Sequence, residues 1–245
     1  LGLYIVSTPI GNLDDISKRA IYTLQNSDLI ICENPIHSLK LLNKFGIKKK
    51  LISVHDYNEE KVLKNLENEL KNKKISLISD AGSPLISDPG YKIVQHCILN
   101  NIDIYAIPGP SSLLPALQLS GLSISEFSFY GFFPKTKKKA EEFITKIKNH
   151  EYSSVFFVSR YKLELCLDIL YKEMPERLIS VSKELTKINE IVLRGTSKQI
   201  REKITNDKVS LKGEFVFVVS RNNQTKSESI NIENYEKKII KLLSK

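Results

Sequence analysis

The chain has 245 residues, of which 41% are apolar and 27% are charged, and its formal net charge is +9 at pH 7. This length and composition predict a globular protein with one large domain or two medium ones. No run of apolar residues approaches the length of a membrane span, and the N-terminal stretch lacks a basic segment and a small-residue cleavage site. We therefore expect a cytoplasmic protein with no membrane association. Three isolated cysteines, Cys32, Cys97 and Cys166, fit neither a disulfide framework nor a metal-binding pair.

The first half of the chain alternates short apolar runs with amphipathic segments. The runs lie at residues 3–8, 28–33, 51–55, 75–79 and 102–107. Between them, apolar residues recur every three or four positions, which predicts βα units around a mostly parallel, doubly wound sheet. Gly46 and Gly121 are placed as helix C-caps, and Asp14 and Asp15 are placed to open the first helix.

From about residue 127 the strand-like runs lie closer together, which predicts a second, mixed α/β domain. These runs lie at residues 127–133, 153–159, 178–185, 189–195 and 214–220. We expect the boundary between residues 115 and 122, with an N-terminal domain of residues 1–118 and a C-terminal domain of residues 119–245. Residues 220–231 are predicted to form a flexible surface loop, and residues 231–245 a last amphipathic stretch.

Turn-forming residues collect in three loops, at residues 7–12, 80–90 and 107–112, which hold five of the nine prolines and four of the ten glycines. Each loop follows a predicted strand. The carboxyl ends of parallel strands share one edge of the sheet, so we expect the three loops to meet there and form a rigid ligand cleft. Any one of them alone is better explained as a tight βα turn, and the prediction of a cleft rests on all three together.

The amino-acid sequence of the loops limits the kind of ligand they can bind. The chain has no P-loop motif, and "TPIGNL" lacks the three glycines of the dinucleotide fingerprint, so no pyrophosphate cradle is predicted. A nucleoside without phosphates is compatible. The polar side chains available to it are those of Asp80, Ser83, Ser87, Asp88, Ser111 and Ser112.

Six stretches together are similar to the ribosomal RNA small subunit methyltransferase I family of the tetrapyrrole methylase superfamily. They are "LYIVSTPIGNLDDIS", "LISDAGSPLISDPGYKIV", "IYAIPGPSSLLPAL", "FYGFFP", "KELTKINEIVLRGT" and "KGEFVFVV". The resemblance implies a two-domain α/β enzyme that binds S-adenosylmethionine between its domains and acts as a homodimer. It further implies 2′-O-methylation of a cytidine in the decoding centre of 16S rRNA in the small ribosomal subunit, with no DNA partner.

The resemblance also implies which residues contact the methyl donor. They are Pro9, Ala81, Gly82, Ser83, Ile86, Ser111, Ser112, Val158 and Leu185. Two places depart from the family pattern. Asn34, Pro35 and Ile36 stand where relatives continue an acidic pair with Thr and Arg. Ser159, Arg160 and Tyr161 lie within "VSRYK", which stands where relatives carry Glu-Ser-Pro-His-Arg.

Methyl transfer from a sulfonium requires alignment of nucleophile, methyl and sulfur, and it needs no metal. A ribose hydroxyl also needs a group that accepts its proton. The candidates are Asp80, Glu33, Glu184 and Lys187, of which the lysine would need a depressed pKa.

Two groups of lysines are candidates for contact with RNA. Lys135, Lys137, Lys138 and Lys139 are predicted to contact phosphates without reading sequence. Lys183 is assigned with Glu184 and Lys187 to an RNA-facing surface, although an ordinary solvated charge run explains them equally well. The aromatic residues of "FYGFFP" are expected in the core.

Two other functions remain open from sequence. One is a methylase of a small polyanion such as a porphyrin precursor, which the net charge would also attract. The other is a catalytically inactive ribosome-binding module, favoured if the two departures have removed the active surface.

Overall fold

The structure is a computed structural model that describes residues 1–55, 57–206 and 213–222. The predicted flexible loop beyond residue 222 and the predicted amphipathic stretch at residues 231–245 lie outside the described residues. Within the described ranges, every helix is too short or too polar to cross a bilayer.

The first sheet is fully parallel, with strand order β3-β2-β4-β1-β5. Its strands are β1 (Gly2–Val6), β2 (Leu29–Cys32), β3 (Lys50–Ser53), β4 (Lys74–Leu77) and β5 (Ile104–Ile107). Helices α1 (Lys18–Gln25) and α2 (Pro35–Lys44) contribute to the core on one face, and α3 (Glu59–Asn72) and α4 (Tyr91–Leu99) contribute to the core on the other. The predicted doubly wound parallel sheet is confirmed.

Strand β2 shows why the interior of this sheet is apolar on both faces. All four of its residues are buried, with Leu29 and Ile31 in one core and Ile30 and Cys32 in the other. A strand covered by helices on both faces buries both sets of alternating side chains. The continuous apolar runs in the sequence are therefore the signature of this architecture.

The start of α1 differs from the prediction. Ser17 is the N-cap, and its Oγ accepts a hydrogen bond of 3.0 Å from the backbone N–H of Ala20. Asp14 and Asp15 instead lie in a separate 3₁₀ turn, which is capped by the side chain of Asn12. The assignment of the two aspartates to the helix start was wrong, because Asn12 and Ser17 supply the capping oxygens.

The second sheet is mixed, as predicted, with strand order β6-β7-β10-β8-β9. Its strands are β6 (Phe127–Phe132), β7 (Ser153–Ser159), β8 (Leu178–Lys183), β9 (Ile191–Thr196) and β10 (Glu214–Val219). Strands β6 and β7 are parallel, and the remaining pairs are antiparallel. Helices α6 (Lys137–Lys148), α7 (Leu163–Glu173) and α8 (Ser197–Asn206) share the core on one face.

Helix α5 (Leu113–Ser120) follows the last strand of the first sheet and covers the other face of the second. Ala116 and Leu117 pack there with Val155, Val216 and Val218. Gly121 ends the helix in the left-handed region at φ 69°, which confirms the predicted C-cap. The predicted boundary at residue 118 falls inside this helix, so the division into residues 1–118 and 119–245 stays a prediction.

Candidate functional site

The three loops rich in proline and glycine meet at the carboxyl edge of the first sheet. Thr8 and Gly82 exchange two backbone hydrogen bonds of 2.9 Å, and the hydroxyls of Ser7 and Ser83 are 3.0 Å apart. The Ser83 hydroxyl also donates to the carbonyl of Pro110 at 3.4 Å. The convergence predicted from the strand pattern is confirmed.

The second loop also reaches the other sheet. Leu85 and Ser87 have positive φ angles of 74° and 67°, which turn the chain sharply before Asp88. A Cβ atom on Gly131 would lie 3.1 Å from the Ser87 hydroxyl, so a glycine at this point in β6 permits the close approach. The loop therefore bridges the two sheets.

A cleft of about 680 Å³ lies between the sheets. Its N-terminal wall comprises Ile10, Glu33, Asp80, Ala81, Gly82, Ser83, Ile86, Ser87, Asp88, Ser111 and Ser112. Its C-terminal wall comprises Phe132, Phe157, Val158, Ser159, Arg160, Ser182, Glu184, Leu185, Lys187, Gly213, Glu214, Phe215 and Val216. A cleft of this size fits a nucleoside-sized ligand.

Most of the residues that the family resemblance assigned to the methyl donor line this cleft. They are Ala81, Gly82, Ser83, Ile86, Ser111, Ser112, Val158 and Leu185. Pro9 is absent from the lining, and its neighbour Ile10 lines it instead. Whether these residues bind a donor stays a prediction.

Three carboxylates gather on the N-terminal wall, at Glu33, Asp80 and Asp88. Burial raises the pKa of Asp88 from 3.8 to about 6, opposed by a hydrogen bond from Ser79 and reinforced by the charge of Asp80. Asp80 itself accepts a hydrogen bond of 3.1 Å from the backbone N–H of Asn34. The wall is therefore suited to a cationic ligand.

Lys187 and two glutamates form an ion cluster on the opposite wall. The Lys187 Nζ lies 3.2 Å from Glu184 and 3.1 Å from Glu214. Burial acts to lower the pKa of Lys187, but its bonds to Glu214 and Glu184 outweigh burial and raise the pKa overall. This direction is opposite to the depressed pKa that a lysine base requires, so the geometry favours a charged ammonium.

Glu184 is held as a carboxylate in the same cluster. Burial acts to raise its pKa, but hydrogen bonds from the backbone N–H of Glu214 and from Lys187 lower the pKa overall. Glu184 adopts a positive φ of 51°, and its carboxyl group fills the space where a Cβ on Gly213 would lie. These contacts indicate a structural anchor at the base of the cluster.

The first loop packs directly against this cluster. A Cβ atom built on Gly11 would lie 2.3 Å from the Cγ of Lys187, which no real contact tolerates. The stem of Lys187 therefore crosses the backbone of Gly11, and the glycine is needed for space. Gly11 thus joins the first sheet to the second at the cleft.

Sequence reasoning missed Phe132, which lines the cleft and is 62% exposed. The "FYGFFP" aromatics were expected in the core, and Phe133 is indeed buried. The pairing of β6 with β7 shifts register between Phe129 and Phe132, which changes the direction of the side chain. Gly131 inside an apolar run was the available signal of this bulge.

The predicted RNA-binding lysines fall into two environments. Lys135, Lys137, Lys138 and Lys139 are exposed around the start of α6, outside the cleft lining. Lys183 is only 6% exposed, and it lies on the same side of β8 as the core residues Ile179 and Val181. The exposed group remains available for RNA, whereas the position of Lys183 gives its assignment no support.

Both departures from the family pattern have a local explanation. The Asn34 side chain accepts hydrogen bonds from the backbone N–H groups of Ile36 and His37, which caps α2, and Pro35 occupies the first helical turn. Arg160 lies over the ring of Tyr161, with its guanidinium carbon 4.5 Å from the ring centroid, and it lines the cleft.

Comparison with known proteins assigns this fold and cleft to a class. The profile of the family described as Tetrapyrrole (Corrin/Porphyrin) Methylases matches residues 2–201. A solved structure of diphthine synthase superposes with a TM-score of 0.68 at 15% identity and covers 90% of each chain, which supports the fold alone.

Closer relatives define the group within that class. Ribosomal RNA small subunit methyltransferase I of Halalkalibacterium halodurans is 39% identical over 91% of this chain and 76% of its own length. The protein of the same name from Rickettsia prowazekii is 42% identical over 96% of this chain and 83% of its own length. The chain therefore belongs to the ribosomal RNA small subunit methyltransferase I family of tetrapyrrole methylases, and it is a methyltransferase.

Proposed function

We propose that the protein transfers a methyl group from S-adenosylmethionine to the 2′-hydroxyl of a cytidine in the decoding centre of 16S rRNA. The substrate is the rRNA within the small ribosomal subunit, and the enzyme acts as a cytoplasmic homodimer. Family membership supports the reaction class. The observation that carries the proposal is the cleft, in which a carboxylate-rich wall faces one that combines apolar residues with the ion cluster of Lys187.

The residues present fit this methyl donor. When bound, S-adenosylmethionine supplies an electrophilic methyl group on a sulfonium. Glu33, Asp80 and Asp88 would stabilise the positive charges of the donor, and Phe157 and Val158 would pack against its adenosyl group. The loops offer close backbone approach without a phosphate cradle, in keeping with a ligand that carries none.

In this proposal, a residue on the N-terminal wall accepts the proton of the ribose hydroxyl. Lys187 is held charged, and its ammonium helps to lower the pKa of Glu184, so neither group is suited to act as a base. Asp80 and Glu33 remain from the candidates, and both line the cleft. One of Asp80 and Glu33 is the base in this proposal. We expect substitution of that residue, by Asp80→Asn or Glu33→Gln, to slow single-turnover methylation by about 100-fold or more.

The RNA would approach over the exposed lysines around the start of α6 and over the ring of Phe132 at the edge of the cleft. Lys135, Lys137, Lys138 and Lys139 supply charge for phosphates. Phe132 offers an exposed ring beside the cleft on which an unstacked base can lie. Phe132→Ala should weaken binding of the small subunit more than it weakens binding of the donor.

The decisive experiment compares small subunits from cells with and without this protein by mass spectrometry of the 16S rRNA, followed by methylation of the deficient subunits with purified enzyme. A single 2′-O-methylcytidine restored in the decoding centre supports the proposal. Methylation of free uroporphyrinogen instead, or binding to subunits without any transfer, would favour the porphyrin-type enzyme or the inactive binding module.

A further inference from the structure

Two hydroxyls on β8 have no hydrogen-bond partner within the described part of the chain. They belong to Ser180 and Ser182, which are 0% and 1% exposed. An interior hydroxyl without a partner is unfavourable, and native proteins leave few of them. Each such group calls for an explanation.

The two serines lie on the same side of the strand. Ile179 and Val181 pack in the core beneath α6, α7 and α8, so the alternation of side chains directs Ser180 and Ser182 to the opposite face. Ser180 lies beside Val218, which packs against α5. Ser182 lies two residues further along the strand and lines the cleft.

The surroundings of Ser182 are apolar. It pairs in register with Val216, which pairs in turn with Phe157, and all three residues line the cleft. Val158 and Leu185 extend this wall. A wall of this kind suits the flat face of an aromatic base, and one hydroxyl within it can bond a polar edge of that base.

Three carboxylates of the cleft lie on the wall opposite Ser182. Glu33, Asp80 and Asp88 belong to the N-terminal wall, where they suit the sulfonium and ammonium groups of the donor. On the wall that contains Ser182, Lys187 is paired with Glu184 and Glu214, and Arg160 lies over the ring of Tyr161. The apolar surface around Ser182 is therefore the part of the cleft best suited to the base of the donor.

We propose that the Ser182 hydroxyl forms a hydrogen bond with the adenine base of the methyl donor, and that this bond supplies the partner that the hydroxyl lacks in the free protein. The inference rests on the proposed use of S-adenosylmethionine.

The test measures calorimetric affinity of wild type, Ser182→Ala and Ser180→Ala for two ligands that share the base. These are S-adenosylhomocysteine and 5′-methylthioadenosine, which lacks the amino-acid portion. Ser182→Ala should weaken both by the same factor of about three to ten, the loss expected for one hydrogen bond. Ser180→Ala, the matched control, should leave both affinities within about twofold of wild type.

Thermal unfolding without ligand separates binding from stability. Neither substitution should lower the melting temperature, because each removes an unpaired buried hydroxyl. Unchanged affinity in Ser182→Ala overturns the inference, as does an equal loss in Ser180→Ala. A loss for S-adenosylhomocysteine alone would assign the contact to the amino-acid portion and overturn the base assignment. Failure of the wild type to bind either ligand would instead overturn the proposed function itself.

Discussion

The carboxyl group of Asp88 illustrates how one residue of the cleft couples binding to stability. Its pKa is raised from 3.8 to about 6, chiefly by burial, and Asp80 adds repulsion. A carboxyl whose folded pKa exceeds its unfolded pKa holds a proton in the folded state that the unfolded state has released. Stability therefore falls as pH rises from about 4 to about 6.

Replacement of Asp88 by Asn should raise the stability of the ligand-free protein at pH 7. A rise in pKa from 3.8 to about 6 corresponds to about 3 kcal/mol, which solvent screening at this half-buried site reduces to about 1 kcal/mol. The melting temperature should rise by about 2–4 °C at pH 7 and change little at pH 4. A lower melting temperature for the variant at pH 7 would contradict this account.

At the scale of elements, the loops around the cleft depend on close contacts between the two sheets. Gly11 leaves room for the stem of Lys187, and Gly131 leaves room for Ser87. In each pair a glycine from one sheet or its loops accommodates a side chain from the other. The addition of a single methyl group at either glycine should therefore disturb the geometry of the cleft.

The double variant of Gly11 and Lys187 tests this dependence. Gly11→Ala alone displaces the Lys187 stem and disturbs its bonds to Glu184 and Glu214, so we expect a loss of about 1–2 kcal/mol in stability. In the Lys187→Ala background, the methyl group added by Gly11→Ala no longer meets the lysine side chain. The loss of stability from Gly11→Ala should then be much smaller. Denaturant unfolding of the four proteins gives the coupling energy, and additive losses would disprove the contact.

The lysines at the start of helix α6 lie where they do not stabilise the helix. The group formed by Lys135, Lys137, Lys138 and Lys139 surrounds its N-terminus, the positive end of the helix dipole. Placement that is neutral or unfavourable for the helix is typical of residues that serve binding.

Alanine at all four of these positions should lower the salt dependence of RNA binding. Each neutralised phosphate contact reduces the logarithmic slope by roughly one, while the melting temperature should not fall. The control replaces four exposed lysines of the α3 region, Lys61, Lys64, Lys71 and Lys73. Equal slopes for the two quadruple variants would show that α6 has no special role.

For the whole molecule, a ligand that binds both walls must stabilise the folded chain. S-adenosylhomocysteine at 100 times its dissociation constant should add about 2.7 kcal/mol and raise the melting temperature by about 5–10 °C. ATP at the same concentration should have little effect, because the loops contain no phosphate cradle. A larger shift with ATP would contradict the assignment of the ligand class.

The architecture could be predicted from sequence because both sheets follow a regular alternation of apolar runs and amphipathic segments. The meeting of the three loops followed from the shared edge of parallel strands. The exposure of Phe132 could not be predicted, because it depends on a register shift against β7. The cluster of Lys187 with Glu214 joins residues 27 positions apart, and no local pattern indicates it.

Each sheet is formed by one uninterrupted stretch of chain, residues 2–107 for the first and residues 127–219 for the second. Neither stretch alone contains a complete cleft. Two separately expressed polypeptides, cut within residues 121–126, would each keep a full set of strands, yet only their reassembly would recreate a place for the ligand. The protein is thus a natural scaffold for fragment complementation, in which ligand retention reports that both halves have come together.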